Sequence, residues 1–218
     1  MTRLILVRAA QTDWGAQGRL AGDTDLPLNE TGHCEAVADG QELAEAAPAA
    51  VLSGPEEATR QTGTLIAHEV RQKLRPWKNL REMDLGHWEG LTEAEFRERF
   101  GKVYRQWRND PLAVTPPEGE SVVRASRRLS TAVLKIVKDH ADKTVVLVLG
   151  RFAGAIVRCE LAGAEYTPFW TYVDGDRCRT VVEMTDGQPA VEVESAAASP
   201  GVRTKADPHD SATGNGRP

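Results

Sequence analysis

Apolar residues follow two rhythms along the chain. Leu4-Ile5-Leu6-Val7 and Val145-Val146-Leu147-Val148-Leu149 are short, continuous apolar runs. Runs of this length, rich in β-branched residues, predict strands buried on both faces. Elsewhere apolar positions recur at helical spacing. The stretch from Thr31 to Ala46 places Ala36, Val37, Gly40, Leu43 and Ala44 on one face, and Glu56 to Leu74 also reads as a helix. Ser121 is placed to cap a helix in which Val122, Leu129, Val133, Ile136 and Val137 recur. Cys178 to Met184 and Ala190 to Glu194 flank Asp186-Gly187, the pattern of a β-hairpin. Alternating strands and helices predict an α/β fold, a three-layer αβα sandwich with a mainly parallel sheet.

The stretch 92–117 departs from both rhythms. Phe96, Phe100, Tyr104 and Trp107 sit among charges, and Pro111, Pro116 and Pro117 follow. Two readings stay open: an insertion folded over the sheet edge as a cap on a pocket, or an ordinary amphipathic surface helix. From Ser195 onward Ala, Ser, Gly, Pro and Asp dominate. Such a stretch buries too little apolar surface to offset the entropy of ordering. The organisation expected is one domain over 1–194 and a disordered tail over 195–218.

A chain of 218 residues suffices for one α/β core. The formal charge is −5, with acids and bases interspersed. There is no basic run suited to nucleic acid and no apolar run suited to a membrane span. Four apolar residues before Arg8 are too few for a secretory signal. Cys34, Cys159 and Cys178 are widely spaced and odd in number, so they form neither a disulfide framework nor a metal spacing. A cytoplasmic protein is expected, with a small-molecule ligand and neither nucleic acid nor membrane as a partner.

Arg8-Ala9-Ala10-Gln11-Thr12 follows the first strand. Gly18-Arg19, Gly22 and Asp25-Leu26-Pro27-Leu28-Asn29-Glu30-Thr31-Gly32 come next, then Ser53-Gly54-Pro55 with Gln61-Thr62. Leu80-Arg81-Glu82, running on to Gly86-His87-Trp88-Glu89-Gly90, and Pro117-Glu118-Gly119-Glu120-Ser121 complete the series. In this order the motifs resemble the histidine phosphatase superfamily, the phosphoglycerate mutase-like fold, over nearly all of 2–194. The resemblance implies that fold and allows a homodimer. It also implies a pocket of two histidines, two arginines and a glutamate. In such a pocket one histidine attacks phosphorus while cations hold the equatorial oxygens. An acid then protonates the leaving oxygen.

The chain keeps part of that set. Arg8 matches the first arginine and Glu82 the proton donor. Ala9 falls where the resemblance places the nucleophilic histidine, and alanine cannot attack phosphorus. Ala58 falls at the second arginine. Arg60, two residues on, is rotated by about 200° on a helix and should point elsewhere. The second histidine is expected within Gly150-Arg151-Phe152-Ala153. Alignment on the strand end puts Arg151 there, and alignment on Arg158 puts Ala153 there, so both stay open. Gln11, Thr12, Arg19 and Phe152 complete the expected ligand-binding residues. His87 lies in the third motif at a position the family leaves variable. The five histidines show no metal spacing, so no metal or cofactor is expected.

These losses imply that phosphohistidine chemistry is gone. The function expected first is a repurposed enzyme of specialised metabolism. In it Glu82 acts as general acid or base and Arg8 orients an anionic, carboxylate-bearing substrate for a non-phosphatase reaction: cyclisation, isomerisation, dehydration or hydrolysis. The alternatives are a non-catalytic pseudoenzyme that binds a ligand or protein partner, and a weak phosphatase that uses water as its nucleophile.

Overall fold

A computed structural model of the chain describes residues 1–163, 165–175, 177–185 and 187–197. In chain order the elements are β1 (Thr2–Arg8), α1 (Asp13–Ala16), α2 (Glu30–Leu43), β2 (Ala50–Ser53), α3 (Glu57–Glu69), β3 (Leu74–Pro76), α4 (Glu93–Arg99), α5 (Gly101–Asn109), α6 (Val122–Asp139), β4 (Thr144–Leu149), α7 (Arg151–Leu161), α8 (Phe169–Asp174), β5 (Cys178–Thr185) and β6 (Gln188–Ala197).

The strands form one six-stranded sheet in the order β3-β2-β4-β1-β5-β6. β3, β2, β4 and β1 run parallel, and β5 and β6 add an antiparallel hairpin at one edge. The expected α/β sandwich with a mainly parallel sheet is therefore what the chain forms. The apolar runs explain the layering. Successive side chains of a strand point to opposite faces. Leu4 and Leu6 of β1, with Leu147 and Leu149 of β4, pack on the side of α6 and α7 against Leu129, Ile136 and Ile156. Ile5, Val7, Val146 and Val148 face the other way, toward Leu43 of α2 and Ile66 of α3. Both faces of the central strands are thus buried, which is why their sequence is apolar without alternation.

Three boundaries differ from the sequence expectations. The helix read from Glu56 to Leu74 ends at Glu69, because Arg71 takes a left-handed conformation (φ 55°), and Leu74 begins β3. β6 runs through Ala197, so residues 195–197 of the expected tail belong to the sheet, and 198–218 lie outside the described residues. The stretch 92–117 holds two helices, α4 and α5, rather than one. Their Phe96 and Trp107 are buried in the core on the α6–α7 side, where Trp107 stacks on Phe152 with ring centroids 5.8 Å apart. No helix among the described residues is long and apolar enough to cross a membrane.

Candidate active site

β2, β4 and β1 are adjacent and parallel, so the chain leaves all three at the same end of the sheet. Ligands of open α/β sheets bind outside these carboxyl ends. A cavity of about 320 Å³ lies there, near the lower end of the range for ligand pockets. Arg8, Ala9, Gln11 and Thr12 reach it from the end of β1, and Glu56, Ala58 and Thr59 from the end of β2. Gly150, Arg151 and Phe152 reach it from the end of β4, and Arg19, Glu82 and Arg177 close the wall.

Glu82 forms the floor. It is 5% exposed, and its Oε1 accepts the main-chain N–H groups of Met83 (2.6 Å) and Ala153 (2.7 Å). Its Oε2 accepts the N–H of Phe152 (2.8 Å). Phe152 and Ala153 lie in the first turn of α7, where backbone N–H groups lack helical partners and the helix dipole favours negative charge. Burial works against the charge and wins. It pushes the Glu82 carboxyl up to about 7, the Glu56 charge adds to the rise, and the three N–H bonds limit it.

Arg128 of α6 holds this floor from behind. Its Nη1 donates to the carbonyls of Arg81 (2.7 Å) and Asn79 (3.3 Å), and its Nη2 to that of Glu82 (2.9 Å). Its Nε and Nη2 also grip the buried Glu120 carboxylate, at 2.6 Å from Nη2. Nothing in the sequence singles out Arg128 from Arg127 beside it.

The arginines supply the positive wall. Arg8 donates to the carbonyls of Gly175 (3.1 Å) and Val173 (3.4 Å). Burial lowers its pKa to about 10, and the neighbouring Arg151 charge adds to this, so it stays a cation at neutral pH. Arg151 shares the Val173 carbonyl (Nε, 2.8 Å) and pairs with Asp174 (3.1 Å). Asp174 also pairs with Arg108 of α5 at 2.6 Å. Arg177 donates to the Arg8 carbonyl (2.9 Å) and pairs with Asp39.

Nine of the ten residues singled out from sequence line this cavity: Glu82, Arg8, Ala9, Gln11, Thr12, Arg19, Ala58, Arg151 and Phe152. Ala153 does not. It is fully buried in the core and meets the site only through its N–H. Two residues on a helix differ by about 200°, so Arg151 facing the cavity turns Ala153 away from it. Gln11 is held by Glu35, which accepts its N–H (3.0 Å), and by Asn29, which donates to its side chain (3.0 Å). Thr12 caps α1 by accepting from Gly15 (3.1 Å). Arg19 donates to the Gly90 carbonyl (2.7 Å). Arg60 pairs with Glu57 and is off the wall. His87 pairs with Glu118 at the surface (3.2 Å), and no histidine is among the lining residues. No residue of 92–117 lines the cavity either, so α4 and α5 do not cap it. Sequence reasoning missed Glu56 and Arg177, which look like ordinary surface charges in the chain. Outside the wall, Asp23, Asp84 and Glu89 bring carboxylate oxygens within 4.8 Å of one another. Glu89 is already engaged there by Thr24 and by the N–H groups of Asp23 and Leu85.

The model of the histidine phosphatase superfamily (branch 1) matches residues 4–196. Phosphoserine phosphatase 1 of Hydrogenobacter thermophilus is 28% identical over 186 residues, covering 85% of this chain and 88% of that protein. The mycobacterial glucosyl-3-phosphoglycerate phosphatase, solved with VO3, superposes with a TM-score of 0.79 at 26% identity, covering 90% of this chain and 99% of that one. A histidine-to-alanine variant of the phosphoserine phosphatase of Entamoeba histolytica, in complex with phosphoserine, shares the fold (TM-score 0.79, 24% identity, covering 91% and 98%). These relatives are phosphatases, which overturns the expectation of a lyase, isomerase or cyclase repurposed away from phosphate. With its motifs in order on this fold and the family match running from 4 to 196, the chain belongs to the histidine phosphatase superfamily, branch 1.

Proposed function

We propose that the chain binds small phosphomonoesters in the Arg8–Glu82 cavity and hydrolyses them with water as the nucleophile. The observation that carries this reading is the meeting of a buried carboxyl able to hold a proton near neutral pH with two arginines on one cavity wall. The phosphatase names of its relatives support the substrate class.

Ala9 stands where the resemblance places the nucleophilic histidine, and Arg151, one of the two positions open for the second, directly follows the Gly150 cap of α7 and lines the cavity. The wall has no histidine to form a covalent intermediate, so the new bond to phosphorus comes from water. Arg8 and Arg151 hold the oxygens that are not transferred, exchanging part of their bonds to the Val173 carbonyl for bonds to phosphate. Such charge-assisted bonds suit a guanidinium fork. The ester P–O bond breaks as the P–O bond to water forms. Glu82 gives its proton to the departing ester oxygen, and its carboxylate then takes the proton that water loses. The products are an alcohol and inorganic phosphate, with Glu82 protonated again.

One observation favours a second reading, binding without turnover: the residue nearest the expected point of attack is a methyl group, Ala9. A panel of phosphomonoesters, assayed for phosphate release and for binding, decides between the two. Release that falls in Glu82→Gln supports hydrolysis, and Ala9→His should then raise the rate. Binding without release means that the site only recognises phosphomonoesters. If no member of the panel binds, both readings fall.

A further inference from the structure

Glu56 is a second carboxylate at the floor of the same cavity, and the hydrolytic steps above give it no role. It immediately precedes α3, a position where short side chains ordinarily cap the helix N-terminus. Its side chain makes no such cap. Instead its Oε1 accepts the main-chain N–H of Glu82 at 2.9 Å, and its Oε2 lies 3.3 Å from the Thr59 hydroxyl. Gly54 makes room for it, since a Cβ there would stand 2.5 Å from Oε2. Glu56 is 8% exposed, and no ion pair within 4 Å reaches either Glu56 or Glu82 among the described residues. The Glu56 carboxylate thus sits against the main chain that carries Glu82, and among the described residues neither side chain has an ion-pair partner. The charged groups that face the pair are Arg8 from β1, with Arg151 and Arg158 of α7 and Arg177 around it, and Asp23 on the Glu56 side.

A charge on Glu56 disfavours ionisation of Glu82 in this water-poor site. A leucine or alanine at position 56 would leave the Glu82 N–H without this acceptor and the Glu82 carboxyl without its negative neighbour. We infer that Glu56 is a positioning residue for Glu82: it fixes the main chain that carries the acid and, through its own charge, keeps a proton on Glu82 for the leaving oxygen. The inference rests on the hydrolytic reading only for the use made of that proton. The coupling between the two carboxyls stands or falls by itself.

Glu56→Gln separates the two effects, because glutamine keeps a carbonyl acceptor for the Glu82 N–H and removes the charge. The readout is the titration of the Glu82 carboxyl by infrared difference spectroscopy of the full chain, with Glu82→Gln as the blank. The Glu82 midpoint should move down by about one pH unit in Glu56→Gln. In Glu82→Gln the Glu56 midpoint should stay in place, because Glu56 ionises while Glu82 still holds its proton. This second measurement needs no change at position 56. An unmoved Glu82 midpoint in a folded Glu56→Gln protein, or a Glu56 midpoint that falls in Glu82→Gln, overturns the inference. If the Glu82 midpoint moves but the wild type releases no phosphate, the pairing stands and the hydrolytic reading falls. Where the wild type does turn over, the alkaline limb of its pH profile should move to lower pH in Glu56→Gln together with the Glu82 midpoint.

Discussion

Gly150 packs against Glu82 so closely that a Cβ on the glycine would overlap Oε2 and stand 2.8 Å from Cδ. The backbone does not demand glycine here, since φ is −68°. The carboxylate does. Gly150→Ala should cost about 1–3 kcal/mol through overpacking. Urea unfolding at pH 7 measures the loss, and the Phe152 and Ala153 amides should lose protection from hydrogen exchange as Glu82 is pushed off them.

Glu82 binds its proton more tightly in the folded chain, about 7 against an ordinary 4.5. A carboxyl shifted upward stabilises the fold fully below its unfolded value and loses that contribution as the pH rises through its folded value. Between pH 4.5 and 7, wild-type stability should therefore fall relative to Glu82→Gln by about 3 kcal/mol. Glu56 and Asp39, also raised by burial, titrate in both proteins and largely cancel in the difference. Parallel stability curves for the two proteins would show that Glu82 ionises normally.

Arg8 brings a largely desolvated positive charge to the cavity, and its hydrogen-bond partners are neutral carbonyls. An anion should compete well with them. Arg8→Gln should weaken binding of inorganic phosphate or vanadate by roughly tenfold to a hundredfold, the range expected for charge-assisted bonds. Calorimetric titration at low salt reads it directly.

Asp174 neutralises Arg151 from outside the cavity and is itself partly exposed. Exposed pairs are worth under about 1 kcal/mol, so Asp174→Asn should raise phosphate affinity by only about two- to fivefold. Arg108 loses the same partner, yet its guanidinium stays over the Trp170 ring, 4.3 Å from the centroid, and should hold α5 in place.

The layers were legible in the chain because the central strands bury both faces, and a continuous apolar run as short as Val145 to Leu149, bounded by polar residues and glycine, suits a buried strand better than a helix. The cavity lining was legible where side chains leave a strand end in a fixed order, as Arg8 and Ala9 do after β1. Elsewhere tertiary context decided. Leu74 continues a helical periodicity, and only the left-handed turn at Arg71 ends the helix before it. Arg151 and Ala153 were interchangeable by alignment until the rotation of α7 separated them. Glu56 reads as half of an exposed Glu-Glu pair, because nothing local reveals that the Glu82 N–H will arrive 26 residues later in the chain.

The Arg128 fork has a bearing on how the chain tolerates change. One guanidinium serves three loop carbonyls and a buried carboxylate at once. No other side chain has five donors in one plane, so even lysine at this position would leave acceptors unmet. Position 128 should thus be among the least substitutable in the protein although it never meets a ligand. Variation compatible with a working acid is expected around the mouth of the cavity, and not in the helix behind its floor.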